Sequence, residues 1–411
     1  MATIIPFKAI RPTQDKVAFV ASRSYEEYSR KELNAILNYN PFSFLHIIDP
    51  GFRFDNKVSK SERFKLVHNR YLEFLKGNIL MKDTKDSFYI YEIEKNDFKC
   101  CGLLCSTSVE DYQNDVIKKH EETIHRREEL FANYLKTVEF NAEPVLMTYV
   151  NTDIIDKTIQ KATKNTPEYN FTTTDKATHR LWAISDKKTV MTLQGEFQKI
   201  DALYIADGHH RSASSTLLSQ QSKEQNPRHT GREHYNFFMS YLIPESEIKI
   251  YEFNRMIQDL NGLTKEEFLI KLKTYYKIEN RGRTLYKPTK KHHFSMYLEG
   301  EFYALYLKNK TYEFTDVLSK LDTQILLKTV LEPILDILDL RNNKRIQYGY
   351  GKQNIRKMKD EIDKGNFVVG FGLVPIAVDE IKAIADAGLV MPPKSTYIEP
   401  KMRSGLTIYE L

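Results

Sequence analysis

The sequence predicts an α/β (α+β) protein on three observations. Short apolar runs that read as buried strands alternate with amphipathic stretches at helical spacing. A central run at 202–206 turns on Gly208 and continues through small residues into Leu217 and Leu218, a strand, glycine turn and helix start. A second buried run, 367–373, is followed by a helix at 378–387 that stops at Gly388.

In chain order, 7–11 is extended up to Pro12, and Ser29 with Glu32 has capping-box spacing at a short helix. The apolar stretch 41–48 reads as a strand. A helix follows Ser61, with Phe64, Val67, Tyr71 and Phe74 on one face and Gly77 closing it. Strands at 88–93 and 100–106 flank a hairpin at Lys95-Asn96-Asp97. A long helix is expected over 109–136, its stripe Ile117, Ile124, Phe131 and Leu135 carrying His120 and Glu128 inward. A strand at 144–150, a helix at 154–164, a strand at 179–184 and a helix at 189–197 lead to the central run. Beyond it, 220–233 reads as a polar loop and 235–243 and 247–253 as strands, the latter ending in Asn254-Arg255. Thr264 and Glu267 cap a helix at 263–276, and the basic stretch 281–292 marks a junction. A hairpin spans 293–307 through Glu299-Gly300-Glu301, and 318–340 is apolar and helical, broken at Pro333. The resulting division is 1–108, 109–280 and 281–411, without internal repeats.

The bulk composition narrows the function classes. With 411 residues, 41% of them apolar, 25 Tyr and 23 Phe, the chain can build a core without disulfides or structural metal. Its three cysteines lie between 100 and 105, a spacing that fits neither zinc nor a disulfide framework, so reduced thiols and a cytoplasmic location are expected. The opening residues show no basic segment followed by an apolar one and no apolar run reaches bilayer length, so neither a signal peptide nor a membrane partner is expected. The formal charge is +6, its positives scattered among 55 acids, which favours anionic small molecules over a nucleic-acid track.

The chemistry concentrates at Asp207-Gly208-His209-His210-Arg211-Ser212. A strand, glycine turn and helix start aim free backbone N–H groups at an anion. Arg211 adds a planar fork for phosphate oxygens. Asp207 suits a divalent metal or a base, and His209 and His210 suit proton transfer or ligation. A second cluster, Met391 to Gly405, holds three prolines among Lys394, Ser395, Thr396, Lys401 and Arg403, so its polar groups order at small entropic cost.

Ile205-Ala206-Asp207-Gly208-His209-His210-Arg211, together with Met391-Pro392-Pro393-Lys394-Ser395-Thr396-Tyr397 up to Gly405-Leu406, resembles the signature of the family called domain of unknown function 1015. Segments at 41–46 and 120–123 resemble it too, so the likeness covers essentially the whole chain. The resemblance implies a ParB/sulfiredoxin-like nucleotide-binding core with N-terminal and C-terminal α/β extensions. Related proteins include kinases of free serine that use ATP or ADP, sulfiredoxins that use ATP and ParB proteins that use CTP. Carried over by matched position, Gly208, His209, His210 and Arg211 would hold phosphates, with Asp207 near a metal, Mg2+. Ser212 is expected beside the phosphates, and Asp207, His209 and His210 are also expected to act chemically. The family's Pro-Pro-Tyr-Asp reads Arg23-Ser24-Tyr25-Glu26 here, which makes Glu26 the candidate base. Asn254-Arg255 stands where His-Arg is usual, a departure at position 254. His120, Glu121, Arg255, Lys394, Ser395 and Thr396 are expected around the substrate.

The resulting expectation is a nucleotide-dependent phosphotransferase acting on a small hydroxy-amino acid such as serine, with ATP or ADP and Mg2+, and compatible with a homodimer. Two other classes compete: a ParB-like nucleotide switch or DNA adaptor, and a metal-dependent phosphohydrolase with Asp207, His209 and His210 as ligands. No helix-turn-helix or basic stripe supports the first. Sulfiredoxin chemistry lacks its cysteine after Gly208.

Overall fold

Capping boxes set three helix starts: Ser29 with Glu32 before Arg30–Tyr39, Ser59 with Glu62 before Lys60–Lys76, and Thr264 with Glu267 before Lys265–Tyr275. Each cap satisfies backbone N–H groups that the helix leaves without partners, a contribution of about 1 kcal/mol. The computed structural model describes residues 1–50, 59–96, 98–308, 310–351 and 353–411. The fold mixes α and β elements, and the chain divides into two units, one of 1–118, 123–248 and 400–411, the other of 119–122 and 249–399. These units do not coincide with a division at 108 and 280. Residues 281–292, read as a junction, lie inside the second unit.

The first unit is built on a mixed sheet of nine described strands. Its order is Ile117–Lys118, Leu203–Asp207, Val145–Tyr149, Phe237–Pro244, Phe98–Ser108, Phe88–Lys95, Thr178–Ile184 and Tyr169–Thr172, with Ile4–Ile5 pairing Phe98–Ser108. Leu203–Asp207 runs parallel to Ile117–Lys118 and antiparallel to Val145–Tyr149. Leu103, Ile117, Met147, Leu203 and Ile205 share one core with Ile155, Ile159, Leu193 and Phe197 of the helices Asp153–Ala162 and Lys187–Phe197. The cysteines are unbridged, and burial pushes all three thiols up. Asp97 of the expected hairpin lies outside the described residues, while Phe88–Lys95 and Phe98–Ser108 pair as antiparallel neighbours.

The second unit carries a six-stranded antiparallel sheet in the order Tyr276–Gly282, Glu301–Leu307, His293–Leu298, Val369–Gly372, Asn254–Ile257, Ile346–Gly349. Side chains alternate across a strand. Ile257 joins the core beneath Lys265–Tyr275, and Met256 joins Ile355, Met358 and Ile362 of the helix Asn354–Asp363. Among the described residues, no helix is long and apolar enough to cross a membrane.

Five expectations fail locally, one of them the helix over 318–340, which spans only Asp322–Leu326 and the π-helical Leu327–Leu331. The stretch 41–48 is a turn followed by the helix Leu45–Ile48, where the Ser43 hydroxyl accepts the Leu45 N–H at 3.3 Å. Short apolar runs do not distinguish strand from helix. The long helix over 109–136 is instead Val109–Gln113, the strand Ile117–Lys118 and the helix His125–Val138; Asp115, at φ 58°, ends the first of these. The helix after Gly208 continues to Gln225, so the loop begins at Asn226 rather than at 220. Asn254 and Arg255 open the strand Asn254–Ile257 rather than closing one.

Candidate functional site

The site grows from the end of Leu203–Asp207. Residues 203–206 are buried, and the register against Val145–Tyr149 shifts between Ile205 and Asp207, which ends the ladder at the carboxylate. Gly208 has φ 106° and starts the 17-residue helix His209–Gln225. A side chain there fails twice. That backbone conformation is one that L-residues rarely adopt, and a Cβ would lie 2.8 Å from Arg211 Nε.

Arg211 folds back over this turn. Its Nη1 donates to Pro144 O at 2.8 Å and lies 3.7 Å from Glu143 Oε2, while Nη2 lies 3.5 Å from Asp207 Oδ1. Lys401 Nζ donates to the other oxygen, Asp207 Oδ2, at 2.6 Å. Burial alone would raise the Asp207 carboxyl, but Arg211, then Lys401, then His209 outweigh it and hold the group at about 2. Asp207 is therefore ionised at neutral pH, and its side chain keeps 34% of its exposure.

Lys401 is aimed by its neighbours. Arg403, nearly buried, donates from Nε to His179 Nε2 at 3.3 Å and from Nη2 to Thr173 Oγ1 at 2.9 Å, and pairs with Asp175. The His179 ring stacks with Phe171 and has the Tyr91 hydroxyl 2.8 Å from Nδ1, and burial followed by the Arg403 charge pulls it down to about 3, so it stays neutral and accepts at Nε2. Ser404 exchanges two backbone hydrogen bonds with Ser22, at 3.1 and 2.8 Å, and its hydroxyl donates to Glu143 Oε1 at 2.7 Å. The segment is thus anchored just beyond Lys401.

A further carboxylate faces these charges. Glu27 ends the single turn Tyr25–Glu27 and is half-buried; burial raises its carboxyl, against the opposing pull of Lys401, Arg23 and Arg403. Glu26, the expected base, is exposed. The alternation of one short turn places its neighbour inward.

The remaining expected residues divide. In the first unit His209 is buried, His210 is half-buried, and Ser212 is fully buried with its hydroxyl donating to His209 O at 3.0 Å, which places it inside the helix rather than toward a ligand. The other six lie in the second unit. His120 is buried and its backbone oxygen accepts the Met391 N–H at 2.9 Å; Glu121 beside it is half-buried. Since 119–122 is not helical, the stripe that turned His120 inward with Glu128 does not exist. Arg255 is fully buried, donating to Phe253 O at 2.5 Å and Lys394 O at 3.2 Å, and burial pulls its guanidinium down to about 10. Lys394 is exposed, Ser395 is buried and donates to Pro392 O at 2.6 Å, and Thr396 is half-buried.

Sequence reasoning missed Glu27, Glu143, Lys401 and Arg403 as site residues. Lys401 and Arg403 stood within the proline-bound cluster already singled out, and Glu27 adjoined the chosen carboxylate. Glu143 had no local signal; only the fold brings it to Arg211.

No curated protein matches the chain. Among solved structures it is similar to a mutant free serine kinase in complex with AMP, at 14% identity over 74% of this chain and 91% of that one with a TM-score of 0.36. It is similar also to a conserved hypothetical protein from Pyrococcus furiosus, at 15% identity over 73% and 91% with a TM-score of 0.36. SbnI with C-terminal truncation from Staphylococcus aureus matches at 14% identity over 74% and 85% with a TM-score of 0.39. The family model described as a protein of unknown function (DUF1015) matches residues 4–324, well over half of the sequence, and the chain belongs to that family.

Proposed function

We propose that this protein is a nucleotide-dependent phosphotransferase acting on the hydroxyl of a small amino acid such as serine, with the first unit's Gly208 loop as the phosphate cradle. One observation carries the reading: an ionised Asp207 and two cations, Arg211 and Lys401, converge on a positive-φ glycine at a long helix's N-terminus. Phosphoryl transfer asks mainly for positioning and charge neutralisation. The N–H groups that open the helix receive phosphate oxygens. Arg211 and Lys401 neutralise charge on the phosphates.

Glu27 is the base. The acceptor oxygen forms a bond to phosphorus as the bond to the leaving nucleotide oxygen breaks. The hydroxyl proton passes to Glu27, and the electron pair on the leaving oxygen is neutralised by Arg211 and Lys401. A raised carboxyl is well matched to accepting that proton. Asp207, held ionised, fits a Mg2+ ion shared with the nucleotide phosphates, and such an ion would supply further charge neutralisation.

The test is incubation with ATP or ADP, Mg2+ and a pool of hydroxy-amino acids, reading phosphorylated products by mass spectrometry. Product should form, and Arg211→Ala should lower the rate by about a hundredfold or more. No nucleotide consumption by the parent protein, or full turnover by the variant, would contradict the reading.

A further inference from the structure

The second unit holds a cluster that the phosphate loop does not use. Three strand ends meet: Phe253 precedes Asn254–Ile257, Tyr350 follows Ile346–Gly349, and Tyr397 opens Tyr397–Glu399. Tyr350 and Tyr397 stack with centroids 4.3 Å apart and planes 19° apart, and Phe253 meets both edge-on, at 5.6 and 6.1 Å. Tyr350 nevertheless keeps 47% of its surface exposed.

Two cations lie against Phe253 of this cluster. Lys394, exposed, places Nζ 5.8 Å from the centre of the Phe253 ring. Its backbone is at φ 57°, unusual for a residue with a side chain, and its carbonyl is held by Arg255 Nη2. Arg255 is 1% exposed and bonds only to backbone carbonyls, and its Nε has no partner. Among the described residues, no carboxylate lies within ion-pair distance of Arg255 or Lys394. A guanidinium buried without a counter-charge is normally completed by an anion.

We propose that Tyr350, stacked on Tyr397 and with Lys394 over the adjoining Phe253 ring, is a binding platform for a planar aromatic anion of mononucleotide size. The ring of the ligand extends the tyrosine stack, and its phosphate lies toward Lys394. Stacking on an aromatic face is tolerant of ring identity, and the adjacent cations select for negative charge. One platform with two cations matches one base and one phosphate rather than a strand. None of these residues belongs to the Gly208 loop.

The experiment uses the full-length chain carrying Arg211→Ala, so that the first-unit cradle is impaired, titrated with AMP by calorimetry. Saturable AMP binding should persist. Adding Tyr350→Ala should weaken it by about tenfold or more, and Tyr350→Trp should restore it to within about threefold of the parent. Lys394→Met should weaken it and flatten its salt dependence. The proposal is overturned if the Arg211→Ala protein binds no AMP, if Tyr350→Ala binds like its parent, or if inorganic phosphate alone binds as well as AMP. Binding of an oligothymidylate more than about tenfold tighter than AMP would make the site a strand-binding surface and also overturn it. Phosphotransferase activity is read separately in the protein with Arg211 intact, so failure here and failure of the phosphotransfer reading are distinguishable.

Discussion

The two cationic regions differ in what neutralises them. At the Gly208 loop, Arg211 and Lys401 are both engaged by carboxylates of the same unit, Asp207 and Glu143. Around Tyr350, Arg255 and Lys394 have backbone and aromatic partners instead. An anion that enters the first region must exchange with protein carboxylates, whereas one that enters the second has none to displace. On the proposed reading the first would act as an ion-exchange site, in which a freed Asp207 becomes available to a cation. The second should bind a planar aromatic anion such as AMP without a metal.

Gly208→Ala is the sharpest way to break the first half of this comparison. It forces a side chain into φ 106° and against Arg211, so phosphorylated product should fall by about a hundredfold or more, with about 1–3 kcal/mol of strain lowering thermal stability. Undiminished single-turnover rates would show that the turn does not shape the cradle. Next in size, Lys401→Met removes one charge-assisted bond, and turnover should drop by about 10- to 100-fold, with partial recovery in Lys401→Arg.

The pH dependence separates the two carboxylates. Asp207 is depressed to about 2 in the folded chain, so its contribution to stability is present above the unfolded carboxylate value of about 4 and is lost as pH falls through about 2. Asp207→Asn should remove that acid-side loss from a urea-melt series. Glu27 shifts the other way. Its folded carboxyl keeps a proton to higher pH than the unfolded one, so its contribution declines as pH rises from the unfolded value through the raised folded value. As a base it must be ionised, so the acid limb of the rate profile should lie above the ordinary glutamate range. Glu27→Gln should lower the rate and erase that limb, and an unchanged limb would remove Glu27 from the proton path.

The smallest effect belongs to Arg403→Lys. A single ammonium cannot reach His179, Thr173 and Asp175 together, so Lys401 should lose its aim and turnover should fall by about 3- to 10-fold. Because Arg403 acts through Lys401, its effect should largely vanish in a Lys401→Met background. Full additivity would make it merely a fold anchor.

The Gly208 turn was legible because its signals are local: an apolar run, one glycine, then small residues in helical register. The capping boxes at Ser29 and Thr264 were legible for the same reason, while the one at Ser59 was not read. The long helix expected over 109–136 was not, since its apolar spacing carries across Asp115, where a left-handed backbone breaks the periodicity. The segment 41–48 misled because eight residues cannot separate a strand from a helix entry. Glu143 and Arg403 became visible only through pairings far apart in sequence, with Ser404 reaching Glu143 and Arg403 reaching His179. The inward Glu27 and outward Glu26 were separated by a single short turn, which no periodicity resolves.

The cradle itself is tested most directly by calorimetric titration of pyrophosphate into the parent protein, Arg211→Ala and the Arg211→Ala/Lys401→Met double variant. Saturable binding in the parent, weakened by about tenfold or more with Arg211→Ala and lost in the double variant, is the expected result. Equal pyrophosphate affinity in all three proteins would contradict a phosphate site at Gly208.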